Sequence, residues 1–228
     1  MEFLTLMLQI WERYWNLFLE GLWMTVYMGL VTVMISTVSG SLMALLRRSK
    51  FGIGKFRPFS LIATVYVEVI RGTPILLQLY FFCYGITFLP GIGEYLVMDR
   101  FQAAVLAFIL NYAAYFCEIF RGGILSVDKG QYEAAKVLGY SKWQTTMKIV
   151  IPQMLKVCLP PVSNECITLV KDTALVTAIG VTEILYFAKA SVNRDVNASA
   201  YLVAAAFYLL MTYGLTKLFQ YLEKKYSF

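Results

Sequence analysis

The sequence contains no histidine, and its four cysteines, Cys83, Cys117, Cys158 and Cys166, stand singly in apolar segments without a C-x-x-C pair. Both absences argue against a metal centre or a redox dithiol, and the cysteines read as small buried hydrophobes. A phosphate loop is missing as well. The stretch "GIGKF" at 52–56 lacks the first glycine at the required spacing and has Phe56 where a serine or threonine must stand, so it does not bind ATP. The first apolar stretch is expected to be retained as a membrane helix and not to serve as a secretory signal. Residues 1–20 are polar and aromatic, with Glu2, Glu12, Arg13 and Glu20, whereas a signal peptide has a basic start, a short apolar run and a small-residue cleavage site. No internal repeat is visible. Acids are fewer than bases, 14 against 20, but the excess sits in two short loops and the tail, which points to topology and anionic lipid rather than nucleic acid.

What the chain has in quantity is apolar sequence. Hydrophobic residues make up 59% of its 228 positions, and the mean hydropathy is +0.64, more than a soluble domain of this length needs for one core. A membrane span takes roughly 20 mostly apolar residues. The stretches 21–46, 58–84, 101–117 and 196–216 qualify, and 149–170 is a fifth that is broken by Lys156, Pro160, Pro161 and Glu165. The 47–57 loop holds five bases and no acid, and 121–148 holds five bases and two acids, so both are expected on the cytoplasmic side. The 85–100 loop and the amino terminus are expected outside. The charge-free run from Thr173 to Thr182 is too short to cross and reads as a re-entrant or half-spanning element. The expectation is an all-α polytopic membrane protein with five transmembrane helices: an external leader over 1–20, one transmembrane domain over 21–222, and a cytoplasmic tail over 223–228.

Between the third and fourth spans lies the polar stretch "QYEAAKVLGYSKWQTTMKIVIPQM" at 131–154. Asp128 with Gln131 is a capping-box-like start, Glu133, Ala134, Ala135 and Lys136 favour helix, and Gly139 suits the left-handed residue that ends one. Ser141 with Gln144 opens the next helix. Residues 129–138 should therefore form a short helix, roughly 15 Å long, with Tyr132, Ala135 and Leu138, and Ala134 adding a small surface, on a narrow apolar face. So short a helix is marginal alone, and it either rests on the headgroups or docks onto a soluble partner.

The stretch resembles the Glu-Ala-Ala cytoplasmic loop of binding-protein-dependent ABC importer permeases, with Glu133, Ala134, Ala135, Gly139, Ile149 or Ile151, and Pro152 in the matching positions. "VIRGTPILLQLYF" at 69–81, "EIFRGGILSVDKGQ" at 118–131 and "LVKDTALVTAIGVTEI" at 169–184 are similar to the polar amino-acid subfamily. The resemblance implies a type I importer permease without an ATPase or other catalytic site of its own. ATP and Mg2+ would be held by a cytoplasmic ABC ATPase dimer. A second permease subunit, identical or paralogous, and an extracytoplasmic solute-binding protein would complete a bacterial cytoplasmic-membrane transporter that moves a polar amino acid by alternating access. The 129–138 helix would be its coupling helix, with Glu133 seating the loop on the ATPase and Gly139 permitting the turn after it. An ion-coupled secondary amino-acid carrier is the alternative, against which the absence of a repeat counts.

Ionisable groups in hydrocarbon are costly and mark polar pathways or internal pairs. Glu68 with Arg71, and Glu118 with Arg121, stand three apart and could pair on one helix face. "RGTP" at 71–74 should break the second span and expose backbone groups to protein or water. Asn111 shares a face with Glu118, and "PPVSNECITLVKDTAL" gathers Asn164, Glu165, Lys171, Asp172 and Thr173 beside a proline pair where a turn is plausible. A zwitterion needs an acid for its ammonium and a cation for its carboxylate. Arg71, Thr73, Asn111, Glu118, Glu165, Lys171, Asp172 and Thr173 are the candidate pathway residues, each open to the alternative role of a helix–helix contact.

Overall fold

The computed structural model describes residues 2–49 and 57–226, with side chains from residue 9 onward. "GIGKF" and part of the basic 47–57 loop lie outside the described residues. Among the described residues nine α-helices run in order: α1 Glu2–Arg47, α2 Pro58–Gly72, α3 Ile75–Tyr80, α4 Arg100–Ser126, α5 Lys129–Val137, α6 Lys142–Thr145, α7 Ile151–Asp172, α8 Ile184–Asp195 and α9 Ser199–Tyr226. Short 3-10 and π turns connect several of them, and no strand occurs among the described residues.

Three helices, Gln9–Arg47 within α1, α4 and α9, are long and apolar enough to cross a membrane, and the count reaches five if two bent pairs each form one span. The first pair is Pro58–Gly72 with Ile75–Phe88, bent by 105° at the expected "RGTP" break. Proline cannot donate to the preceding turn, and here the side chain of Gln78, itself buried, steps in: its amide donates to the Thr73 carbonyl at 3.2 Å and to Thr73 Oγ1 at 2.8 Å. The second pair joins Lys142–Ile179 to Ile184–Asp195 with a 50° bend.

That second bend corrects two expectations. Pro160 and Pro161 do not break the span, since both lie inside α7. Buried Cys158, Ser163, Cys166 and Leu169 recur along the same helix, and this packing outweighs the lost backbone bonds that made the proline pair read as a break. Lys171 and Asp172 do not mark a turn either. The helix passes through them into a 3-10 segment, Thr173–Ile179, and turns only at Gly180, whose φ is +79°.

The stretch 1–20, read as a leader, is the first part of α1 without interruption. Ile10, Tyr14 and Phe18 recur every fourth residue, the spacing of one helix face, and bury that stripe against Ile184, Ala188, Ala200, Val203, Ala204 and Phe207. Farther along α1, Leu30, Met34, Val38, Leu42 and Leu45 form an exposed apolar ridge, and a surface of that kind requires lipid or protein cover. Helix α4 differs: 61% of its apolar window is buried, against 22% for α1 and 17% for α9. Tyr112, Phe116 and Phe120 follow one another along it with centroids 6.4 and 6.1 Å apart, the first pair tilted and the second stacked.

The chain divides into two compact units, one formed by Met1–Met34, Thr73–Leu110 and Cys166–Thr216, the other by Ile35–Gly72, Asn111–Glu165 and Lys217–Phe228. The first contains the Glu183 elbow, and the second contains α5.

Candidate functional site: a capped polar helix, a chain of charges and a buried glutamate

Helix α5 has the bounds its sequence prescribes, and both ends are closed by side chains or backbone. Asp128 accepts from the Gly130 amide at 2.6 Å, which satisfies one of the donors that an N-terminus leaves free. Gln131 does not complete a capping box; its amide oxygen instead accepts from Gln153 at 3.2 Å, tying α5 to α7. At the other end Tyr140 N donates to Ala135 O and Gly139 N to Lys136 O, at 2.9 and 3.1 Å. This is the paired pattern that needs a left-handed residue, and Gly139 supplies it with φ +75°. Ser141 and Gln144 form the full reciprocal box that starts α6. Pro152 lies in the first turn of α7, just after a π turn over Thr146–Val150.

The exposed face of α5 keeps Ala134 and Leu138 of the expected one and adds Val137. Ala135 is fully buried, and Tyr132 is only partly exposed. The apolar stripe that faces outward is Ala134, Val137 and Leu138, with Val137 and Leu138 exposed by 87% and 71% and Trp143 nearby at 71%. Glu133 is exposed on the same helix and makes no ion pair among the described residues. Helix α5 is thus capped at both ends and carries an outward apolar stripe beside an acid that makes no ion pair among the described residues.

The intramembrane charges resolve into a line of alternating sign. Glu118 accepts from Arg121 Nε and Nη2 at 3.1 and 2.7 Å, as the spacing suggested. It is also paired with Arg47, the last residue of α1. Arg47 in turn reaches Glu68 at 3.2 Å. Glu68 therefore pairs with Arg47, not with Arg71, and the order is Glu68, Arg47, Glu118, Arg121. Arg47 and Glu118 are largely buried, their side chains 14% and 17% exposed, while Glu68 is 68% exposed. Sequence reasoning missed Arg47 because its partner comes from a distant helix. Arg71 is left outside this line, exposed, with its guanidinium 5.3 Å from the Tyr115 ring centroid.

In the other unit the principal polar group is Glu183, which sequence reasoning quoted in a motif but did not single out. It is wholly buried. Its side chain caps α8 by accepting from the Tyr186 amide at 2.7 Å, and it also accepts from the hydroxyls of Thr177 and Tyr208. The Tyr208 phenol has Thr25 and Thr173 beside it. Two hydroxyl donors and one amide donor thus satisfy this buried carboxyl group at the N-terminus of α8. Gly21 of α1 makes room for this elbow, since a Cβ there would come within 2.8 Å of Ile184 N.

The remaining candidates fall as follows. Thr73 holds Gln78 at the α2–α3 break. Asn111 is buried in α4, and Glu165 is half-buried in α7. Lys171 is exposed and Asp172 half-buried at the end of α7, and Thr173 is fully buried with its hydroxyl donating to Val170 O at 2.7 Å. Thr73, Lys171, Asp172 and Thr173 belong to one unit, and Arg71, Asn111, Glu118 and Glu165 to the other.

Comparison with known proteins agrees with this arrangement. Residues 40–228 match the family described as binding-protein-dependent transport system inner membrane component. The L-cystine transport system permease protein TcyB of Bacillus subtilis is 33% identical over 216 residues, covering 94% of this chain and 88% of that protein. The glutamine transport system permease protein GlnP of Escherichia coli K12 is 34% identical over 219 residues, covering 94% and 96%. Among solved structures, an amino acid ABC transporter with histidines superposes with a TM-score of 0.84 at 34% identity, over 93% of this chain and 95% of that one. The MetNI methionine ABC transporter in an inward-facing conformation shares the fold, with a TM-score of 0.78 at 18% identity over 95% and 99% of the two chains. The chain belongs to the family of binding-protein-dependent transport system inner membrane components, the multi-pass permease subunits of ABC importers.

Proposed function

We propose that this chain carries a polar amino acid inward across a bacterial cytoplasmic membrane, by alternating access driven by ATP that a partner subunit hydrolyses. The observation that carries this reading is α5. It is fixed at both ends and presents Ala134, Val137 and Leu138 outward, so a push on it is delivered to the chain as displacement of a rigid body rather than lost in unfolding. An ABC ATPase dimer, which holds the ATP and Mg2+, would receive α5 in a surface groove, with Glu133 orienting it. Gly139 and Pro152 fix how the chain leaves α5 and enters α7. Closure of the ATPase dimer would then rock the membrane helices and switch the pathway from outward to inward access.

The cargo class follows from the relatives, whose names specify cystine, glutamine and arginine, and from the chemistry a zwitterion needs. Arg71 makes no ion pair among the described residues and is braced by Tyr115 at a helix break, which suits it to a substrate carboxylate. Glu118 is engaged by two arginines and is better suited to holding the inner end of α4. Thr73, Asn111, Glu165, Lys171, Asp172 and Thr173 stay as the polar groups among which an ammonium ligand is to be sought. Two copies, or one copy and a paralogue, would enclose the pathway, and a solute-binding protein would deliver the cargo from outside. The test is ATP hydrolysis by the reconstituted complex, screened over the amino acids with the solute-binding protein present. One or a few polar amino acids should raise the rate several-fold, and a rate indifferent to all of them would defeat the reading.

A further inference from the structure

Within the unit that contains α5, a cavity of about 330 Å3 opens between the end of α1, the inner end of α4, α5 and the start of α7. Its size falls in the range of small-ligand sites, about 300–1,000 Å3. Leu45, Phe120, Ile124 and Met154 give it apolar walls, Tyr132 of α5 contributes to its rim, and Arg48 supplies its cation. Two of the hydroxyls in the lining already donate within their own helices, Ser41 to Thr37 O and Thr146 to Lys142 O, at 2.7 and 2.9 Å. What remains for a ligand is hydrocarbon wall, the Tyr132 phenol at the rim and one guanidinium. Arg48 is half-exposed and, unlike its neighbour Arg47, makes no ion pair among the described residues. The basic loops at 47–57 and 121–148 put this cavity at the cytoplasmic face.

We propose that the cavity is a binding site for an anionic phospholipid of the inner leaflet, one acyl chain between Phe120, Ile124 and Met154 and the phosphate on Arg48. An apolar pocket alone would accept any hydrocarbon. The unpaired cation at headgroup depth selects for negative charge, and basic pockets between membrane helices on this side have that preference. Because Tyr132 belongs to α5, the lipid touches the helix that receives the ATPase. The site needs only the membrane, so its test does not depend on transport.

The test is native mass spectrometry of the full chain with its co-purified subunits, released from nanodiscs of equal phosphatidylglycerol and phosphatidylcholine. The parent should retain phosphatidylglycerol over phosphatidylcholine by about fivefold, the selectivity of one interfacial charge. Arg48→Ala should still retain lipid but lose the preference, and Ile124→Trp, which fills the cavity, should retain less lipid of either kind. A parent without preference, or an Arg48→Ala variant that keeps it, overturns the proposal. So does unchanged lipid retention in Ile124→Trp accompanied by loss of the second permease copy, which would assign the cavity to a protein contact.

Discussion

At the scale of single residues, burial decides which charges matter. Glu68 and Glu118 both pair with Arg47, yet one side chain is 68% exposed and the other 17%. An exposed pair contributes about 0–1 kcal/mol, whereas removing one partner of a buried pair leaves an uncompensated charge and costs about 3–5 kcal/mol. Glu118→Ala should therefore lower the thermal midpoint of the purified protein markedly, and Glu68→Ala should hardly move it. Equal shifts would mean that Arg47 is solvated. Glu183 obeys the same logic with hydrogen bonds in place of ions. Truncating it strands the hydroxyls of Thr177 and Tyr208 and uncaps α8, at about 1–3 kcal/mol for each stranded group. Glu183→Ala should be poorly stable and Glu183→Gln, which keeps an acceptor, close to the parent; a fully stable alanine variant would show that the elbow has other support. Of the two networks only the Glu118–Arg121 pair was legible in the sequence. Arg47 and Glu118 are far apart in the chain, and Glu183 was passed over beside the more conspicuous Lys171–Asp172 pair, although an isolated acid three residues after Gly180 was the available sign.

Among the elements, what could be read was local. The α2–α3 break is written in Arg71-Gly72-Thr73-Pro74, and the bounds of α5 in Asp128, Gly139 and Ser141, because caps and proline act within one turn. What could not be read depended on packing. Pro160 and Pro161 stay inside α7 because its buried face holds the helix, and the exposed stripe of α5 is Ala134–Val137–Leu138 because Ala135 is taken up by the rest of the chain. Gly139 gives the element its sharpest test. Valine at φ +75° meets the left-handed penalty of about 1–2 kcal/mol for an L residue, aggravated by its β-branch. Gly139→Asn, which tolerates that region, should support uptake near the parental level, and Gly139→Val should lose most of it while remaining in the membrane. Equal uptake by both would show that the cap geometry is not needed for coupling.

For the whole molecule, composition was a sufficient guide to class. A mean hydropathy of +0.64 announces membrane helices, and the structure offers three uninterrupted spans with two bent pairs to make five. The exposed ridge of α1 and the outward stripe of α5 are both apolar surfaces, and the proposed function gives them different cover: lipid for the first, a soluble partner for the second. That assignment is the centre of the account. Glu133 is exposed and without an ion pair among the described residues, so Glu133→Lys alters the docking surface while leaving the fold of this chain alone. The direct measurement is uptake of labelled amino acid into proteoliposomes holding the complete importer, with the ATPase rate and the amount of bound ATPase followed in the same preparation. The account predicts that Glu133→Lys lowers uptake at least about tenfold, the equivalent of roughly 1.4 kcal/mol, and that the ATPase is either lost or hydrolyses ATP without regard to the amino acid. Uptake at the parental rate, with the ATPase still bound and still stimulated, would contradict it.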